Sequence, residues 1–178
     1  YIYENLRGEI IIAGVPIWDS LSYTFLTYSS FATAQFLLNH TGTLLHYPRQ
    51  LRNPILTVLA AATLTTLLDV IIDPVANLGE RWFLGKIYTY PHGGIYFGVP
   101  LSNFAGWFVV ALIIVTINML LFRTFPLTTK RQFKLQGLTA PALYVMTAMF
   151  NITIALCIGE ILLGMVNLAI ISIPTLLI

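Results

Sequence analysis

Tyr96-Phe97-Gly98-Val99-Pro100-Leu101-Ser102-Asn103-Phe104-Ala105-Gly106-Trp107 joins a polar loop to a long apolar run. Gly98 breaks a helix through backbone entropy, and Pro100 through its missing N–H. Ser102 and Asn103 are favourable N-cap residues. From Phe104 to Phe122 the chain is apolar over the length of a membrane-crossing helix. The stretch therefore predicts a re-entrant or interfacial loop that caps a transmembrane helix over 104–122. Its aromatic residues Tyr96, Phe97, Phe104 and Trp107 stand where an interfacial belt stands. A belt needs neither this glycine and proline punctuation nor an asparagine at the helix mouth. The stretch reads as half of a site whose other half lies elsewhere in the chain.

Composition sets the setting. Of 178 residues, 57% are hydrophobic and 9% charged, and the mean hydropathy is +0.83. Soluble domains carry about 25% charged residues, so the chain is expected to be one integral membrane domain over 1–178. The net charge of +2 is too small to point to nucleic acid, and no basic run is interleaved with aromatics as in single-strand binders. Cys157 is the lone cysteine, which excludes an internal disulfide, a CxxC pair and a cysteine-based zinc cluster. The chain opens in a loop at Tyr1, without an initiator Met or a signal-peptide pattern, and closes in an apolar run at Ile178. Both features predict a segment of a longer protein.

Taken in order, residues 1–17 read as loop or interfacial chain. A Gly14-Val15-Pro16 triplet there is echoed at 98–100. A first transmembrane helix is predicted over 18–39, where Ser, Thr and Tyr suit helix contacts. A second is predicted over 55–73, with an Ala- and Thr-rich start, and Pro74 is expected to change its course. The connection 74–103 is long and polar, which is uncommon without a function. After the third helix, residues 140–178 hold either two helices with a turn near Gly159-Glu160 or one long helix and a short terminal segment; two are expected. The resulting fold class is all-α, a polytopic bundle of about five helices. Loops 40–54 and 123–139 carry six of the basic residues and the other connections three. The positive-inside rule places the first pair in the cytoplasm, in what is expected to be a prokaryotic cell membrane.

Asp69 and Asp73 are four residues apart and share a helix face. Acids within apolar helices are costly and mark function, although Asp73 also suits a helix end at the interface. Two adjacent carboxyl groups repel, a pairing that yields one neutral acid and one anionic base. Glu160 is a further acid at membrane depth, or a turn residue. His92, beside Gly93-Gly94, is a possible titrating group or a plain loop residue. Trp82, Tyr96, Phe104 and Trp107 suit an interfacial belt, and equally a pocket wall whose aromatic faces stabilise a cation. GxSxG, P-loop, HExxH and GxGxxG patterns are absent, and the three histidines are too scattered for a di-iron cluster.

The segments Asp69-Val-Ile-Ile-Asp73-Pro74-Val75-Ala76, Arg81-Trp82 and Gly94-Ile-Tyr96-Phe97-Gly98-Val99-Pro100-Leu101-Ser102-Asn103-Phe104-Ala105-Gly106-Trp107-Phe108 resemble the carotenoid biosynthesis membrane protein family. Tyr1-Ile-Tyr3 and Gly14-Val15-Pro16 are similar to its upstream pattern. One departure is Phe83, where the family pattern has a second tryptophan. The family includes hydratases that make bacterioruberin and the 1'-hydroxy end groups of monocyclic carotenoids. The resemblance implies cofactor-free and metal-free hydration of a terminal C=C bond in a polyisoprenoid drawn from membrane lipid. Asp69 and Asp73 would be catalytic, and Trp82, Tyr96, Asn103, Phe104 and Trp107 would bind substrate.

Two other readings compete. The Asp69-x-x-x-Asp73 spacing also suits Mg²⁺ on a diphosphate in an intramembrane prenyltransferase, which requires a second acidic cluster that this chain does not show. A non-catalytic membrane subunit or small transporter would use the same pair as a proton or ion site.

Overall fold

The computed structural model describes residues 2–3, 8, 10–12, 14–39, 53–124 and 138–176. The basic loops at 40–54 and 123–139, and with them the expected membrane orientation, lie outside these residues except at the loop ends. The architecture is an all-α bundle of five helices: α1 (Ile17–Asn39), α2 (Pro54–Ala76), α3 (Leu101–Thr124), α4 (Thr139–Cys157) and α5 (Ile161–Thr175). Three of them, α2, α3 and α4, are long and apolar enough to cross a membrane. The sequence predicts a full first span over 18–39. Helix α1 has the length, at 23 residues, but its Ser, Thr, Tyr and Asp19 side chains keep it below the apolar character of the other three.

Helix α2 is the central element and packs against all four others. Asn53 caps its start, accepting from the Leu56 N–H at 3.0 Å, and Pro54 occupies the first turn, where no N–H is missed. Ala61 and Ala62 are fully buried, so neighbouring helices approach closely. Thr57, Thr65 and Thr66 return their hydroxyls to carbonyls four residues back, which satisfies these groups where no water is at hand. Tyr144 of α4, fully buried, donates to the Leu64 carbonyl at 2.9 Å. Ala34, Val115, Ala148 and Ile171 close this core from the other four helices, together with Leu68 of α2.

Pro74 lies within α2, which runs on to Ala76. So near the end the proline removes one ladder bond and disturbs few residues. Between α4 and α5 the expected turn is present. Gly159 adopts φ +88°, the Glu160 N–H reaches the Ala155 carbonyl at 2.9 Å, and the Gly159 N–H reaches Leu156 at 3.1 Å. This is the Schellman pattern, which closes a helix through a left-handed glycine.

Two short ribbons lie at the site end of the bundle. Strand β1 (Ile2–Tyr3) pairs antiparallel with β4 (Tyr88–Thr89), and β2 (Ile11–Ile12) pairs with β3 (Val15–Pro16). The opening stretch is a tight hairpin: Tyr96 and Val99 exchange backbone bonds around Phe97 (φ 48°) and Gly98 (φ 84°), the signature of a type I′ turn. Helix α3 then starts at Leu101, directly after Pro100, not at Phe104. Ser102 and Asn103 therefore lie inside its first turn and do not cap it. Proline's fixed φ suits helix entry, which releases the Asn103 side chain for another use.

Candidate functional site

Asp69 and Asp73 point from the last turns of α2 into one buried polar cluster. Asn103, one turn into α3, donates through a single Nδ2 to Asp73 Oδ2 at 2.7 Å and to Asp69 Oδ2 at 3.2 Å. Tyr88 donates to Asp73 Oδ1 at 2.8 Å, and Tyr90 to Asp73 Oδ2 at 2.6 Å. The alternation of a strand turns Tyr88 and Tyr90 to the same side. Asp73 thus accepts from three donors through both oxygens, whereas Asp69 receives one long bond from Asn103 and shares a carboxyl–carboxyl hydrogen bond with Asp73. Hydrogen bonds to a carboxylate favour its charged form. The Tyr88 hydroxyl is held well above the usual tyrosine value, chiefly by burial and then by the charge of Asp73; it remains a donor at neutral pH.

These carboxyls form the polar part of a cavity of about 910 Å³ between the start of α1, the end of α2, the 80–90 loop and α4. Tyr23 and Trp107 stack across it with ring centroids 4.4 Å apart, and the Tyr23 hydroxyl donates to the Trp107 carbonyl at 2.9 Å. Asp19, in the first turn of α1, also faces the cavity and accepts a hydrogen bond from the Tyr3 hydroxyl. Its charge bears on both Asp69 and Asp73.

The other expected site residues divide. Trp82 and Trp107 line the cavity, and the indole N–H of Trp82 is buried without a partner. Asn103 bridges the two acids. Tyr96 and Phe104 lie outside the cavity wall and pack edge to face at 5.7 Å, with the Tyr96 hydroxyl buried and unpartnered. His92 is exposed in the loop. Glu160 sits in the α4–α5 turn, away from the cavity, and accepts from Arg81 Nη1 at 2.6 Å. Arg81 also donates to the Ile158 carbonyl at 2.8 Å, so this pair fastens the loop to that turn.

Sequence reasoning did not single out Asp19, Tyr23, Tyr88 or Tyr90. The alternating Tyr88-Thr89-Tyr90 was the available signal, since it puts two hydroxyls on one face. Asp19 resembled an ordinary first-turn acid, which the helix dipole favours without further purpose. Among the described residues, no group of three or more His, Cys, Asp and Glu side chains is placed to hold a metal ion.

A buried pair of carboxyls thus lies at the end of a membrane-length helix, beside aromatic rings in a largely apolar cavity. The chain matches the model of the carotenoid biosynthesis protein family over residues 1–174 and belongs to that family. Its role therefore lies in carotenoid metabolism. No curated protein and no solved structure matches it.

Proposed function

We propose that the protein is a carotenoid hydratase, adding water across the terminal C=C bond of an acyclic end group to give a tertiary alcohol. The observation that carries this reading is the unequal bonding of the two acids. Asp69, with one long bond from Asn103 and a hydrogen bond shared with the Asp73 carboxyl, is placed to hold and deliver a proton. Asp73, fixed by Tyr88, Tyr90 and Asn103, acts as the carboxylate.

The steps balance. Asp69 protonates the less substituted alkene carbon, and the electron pair of the double bond forms the new C–H bond. The tertiary cation left behind lies against the Tyr23–Trp107 stack, and aromatic faces attract such charge. Water oriented by Asp73 attacks the cation and gives Asp73 its proton. Transfer of that proton to the adjacent Asp69 restores the starting state. The net reaction consumes one water. The same donors argue against Mg²⁺ on a diphosphate, because the Asp73 oxygens already accept tyrosine and amide hydrogens.

The test is pigment analysis in a carotenoid-producing host with and without the protein. A mass gain of one water is expected, with the hydroxyl oxygen labelled from heavy-oxygen water. Label from molecular oxygen instead would identify a hydroxylase and overturn the scheme.

A further inference from the structure

The cavity lining is of two kinds. One is polar: Asp19 from the first turn of α1, with Glu80 and Lys86 from the loop after α2. The other is apolar: Trp18 and Phe25 on α1, Phe83 and Leu84 on the loop, and Phe150 on α4. These five are 68%, 41%, 55%, 57% and 50% exposed, so they belong both to the cavity wall and to the outer surface. Phe83 and Phe150 meet edge to face at 5.4 Å, which joins the loop to α4 across this rim. Phe83 also packs on Trp82 at 5.1 Å. Phe25 and Phe150 lie within their helices, away from the ends, and α4, which carries Phe150, is long and apolar enough to cross a membrane.

Cavities of about 300–1,000 Å³ enclose drug-sized molecules. At about 910 Å³ this one accommodates the end of a long polyene, but its wall on α1 runs only from Trp18 to Leu26, about 12 Å of helix, and an extended forty-carbon chain is longer than that. We propose that the apolar rim between α1 and α4 is a lateral portal: one end group of the polyene enters from the bilayer past Phe25, Phe83 and Phe150. The remainder of the chain stays in lipid, and water reaches the carboxyls from the polar rim. This rests on the carotenoid reading above and adds the route and the occupant. It makes the protein selective for the near end of its substrate and indifferent to the far end.

All three tryptophans of the chain, Trp18, Trp82 and Trp107, line the cavity, so their emission reports a bound polyene. The protein in lipid nanodiscs is titrated with the acyclic carotenoid lycopene, and with a carotenoid that keeps one acyclic end but carries a bulky sugar at the other. Quenching with affinities within about threefold of each other is expected. A loss of more than tenfold with the sugar-bearing chain would mean an enclosed pocket and would overturn the portal. The Phe83→Ala/Phe150→Ala double variant should bind lycopene about tenfold more weakly. Phe25→Ala, on a different element, tests the same rim if the double variant does not fold. Unchanged affinity in a folded variant of this rim would also overturn it. Because binding is read without turnover, quenching in a protein that adds no water would sink the hydratase reading and leave the portal standing.

Discussion

The two halves of α2 solve opposite problems. In the N-terminal half, Ala61, Ala62 and Thr65 are small, and the neighbouring helices close onto them until Tyr144 reaches the Leu64 carbonyl. In the C-terminal half, Asp69 and Asp73 replace small residues with groups that require partners, and the surrounding chain supplies hydroxyls and an amide around an open cavity. One helix therefore carries a packing surface and a polar, cavity-facing surface two turns apart. The first is specified by volume, the second by hydrogen-bond capacity.

The strongest way to break this contrast is to remove the capacity while keeping the volume. Asp69→Asn and Asp73→Asn should each lower hydration by about 10²–10⁴-fold, with insertion and helix content unchanged, as read by product analysis and circular dichroism. Full activity in the double variant would end the acid–base account. Tyr90→Phe removes one donor to Asp73. A hydrogen bond to a charged group contributes about 1.5–3 kcal/mol, so turnover should fall by one to two orders of magnitude while substrate affinity stays nearly constant. The converse experiment adds volume in the packing half. Ala61→Leu should cost about 1–3 kcal/mol of stability through overpacking, visible as a lower melting temperature in detergent, with turnover per folded molecule retained. Smaller still is Trp107→Leu, which removes one cation-stabilising face worth about 0.5–2 kcal/mol and should reduce turnover more than it reduces stability.

A graded effect follows from alkali. Burial raises the hydroxyls of Tyr88 and Tyr96 above the usual tyrosine value, with Asp73 adding to the effect at Tyr88. Above a pH of about 10 an unfolded tyrosine loses its proton, while the folded protein still holds both. The folded state then binds more protons, so stability should decline as pH rises beyond that point. Tyr88→Phe should flatten the decline in a pH series of thermal melts.

Much of the cavity-facing half was legible because it is written in one helix. The Asp69–Asp73 spacing and the asparagine at the mouth of α3 are visible without coordinates. Asn103 is expected from the sequence both as a cap and at the site beside the acids; it bridges the acids and does not cap, because a sequence shows that a side chain is polar but not what lies opposite. Tyr88 belongs to a strand of two residues, Tyr88–Thr89, and Tyr90 follows it directly, too short a stretch for a periodic pattern to stand out. Asp19 and Tyr23 face the cavity only because α1 returns beside the end of α2, which is a matter of tertiary topology.

The pairing of Tyr3 with Tyr88 has a consequence for biosynthesis. Ile2 and Tyr3 are translated long before their partner strand, and α1 and α2 must be made in between. At about 5–20 residues per second, that interval is on the order of ten seconds. The membrane helices can begin to associate during it, but Asp73 waits for Tyr88, Tyr90 and Asn103 to emerge. Nascent chains arrested before residue 88 should thus insert yet leave the acid pair without its partners, so that the polar cluster is a late product of maturation.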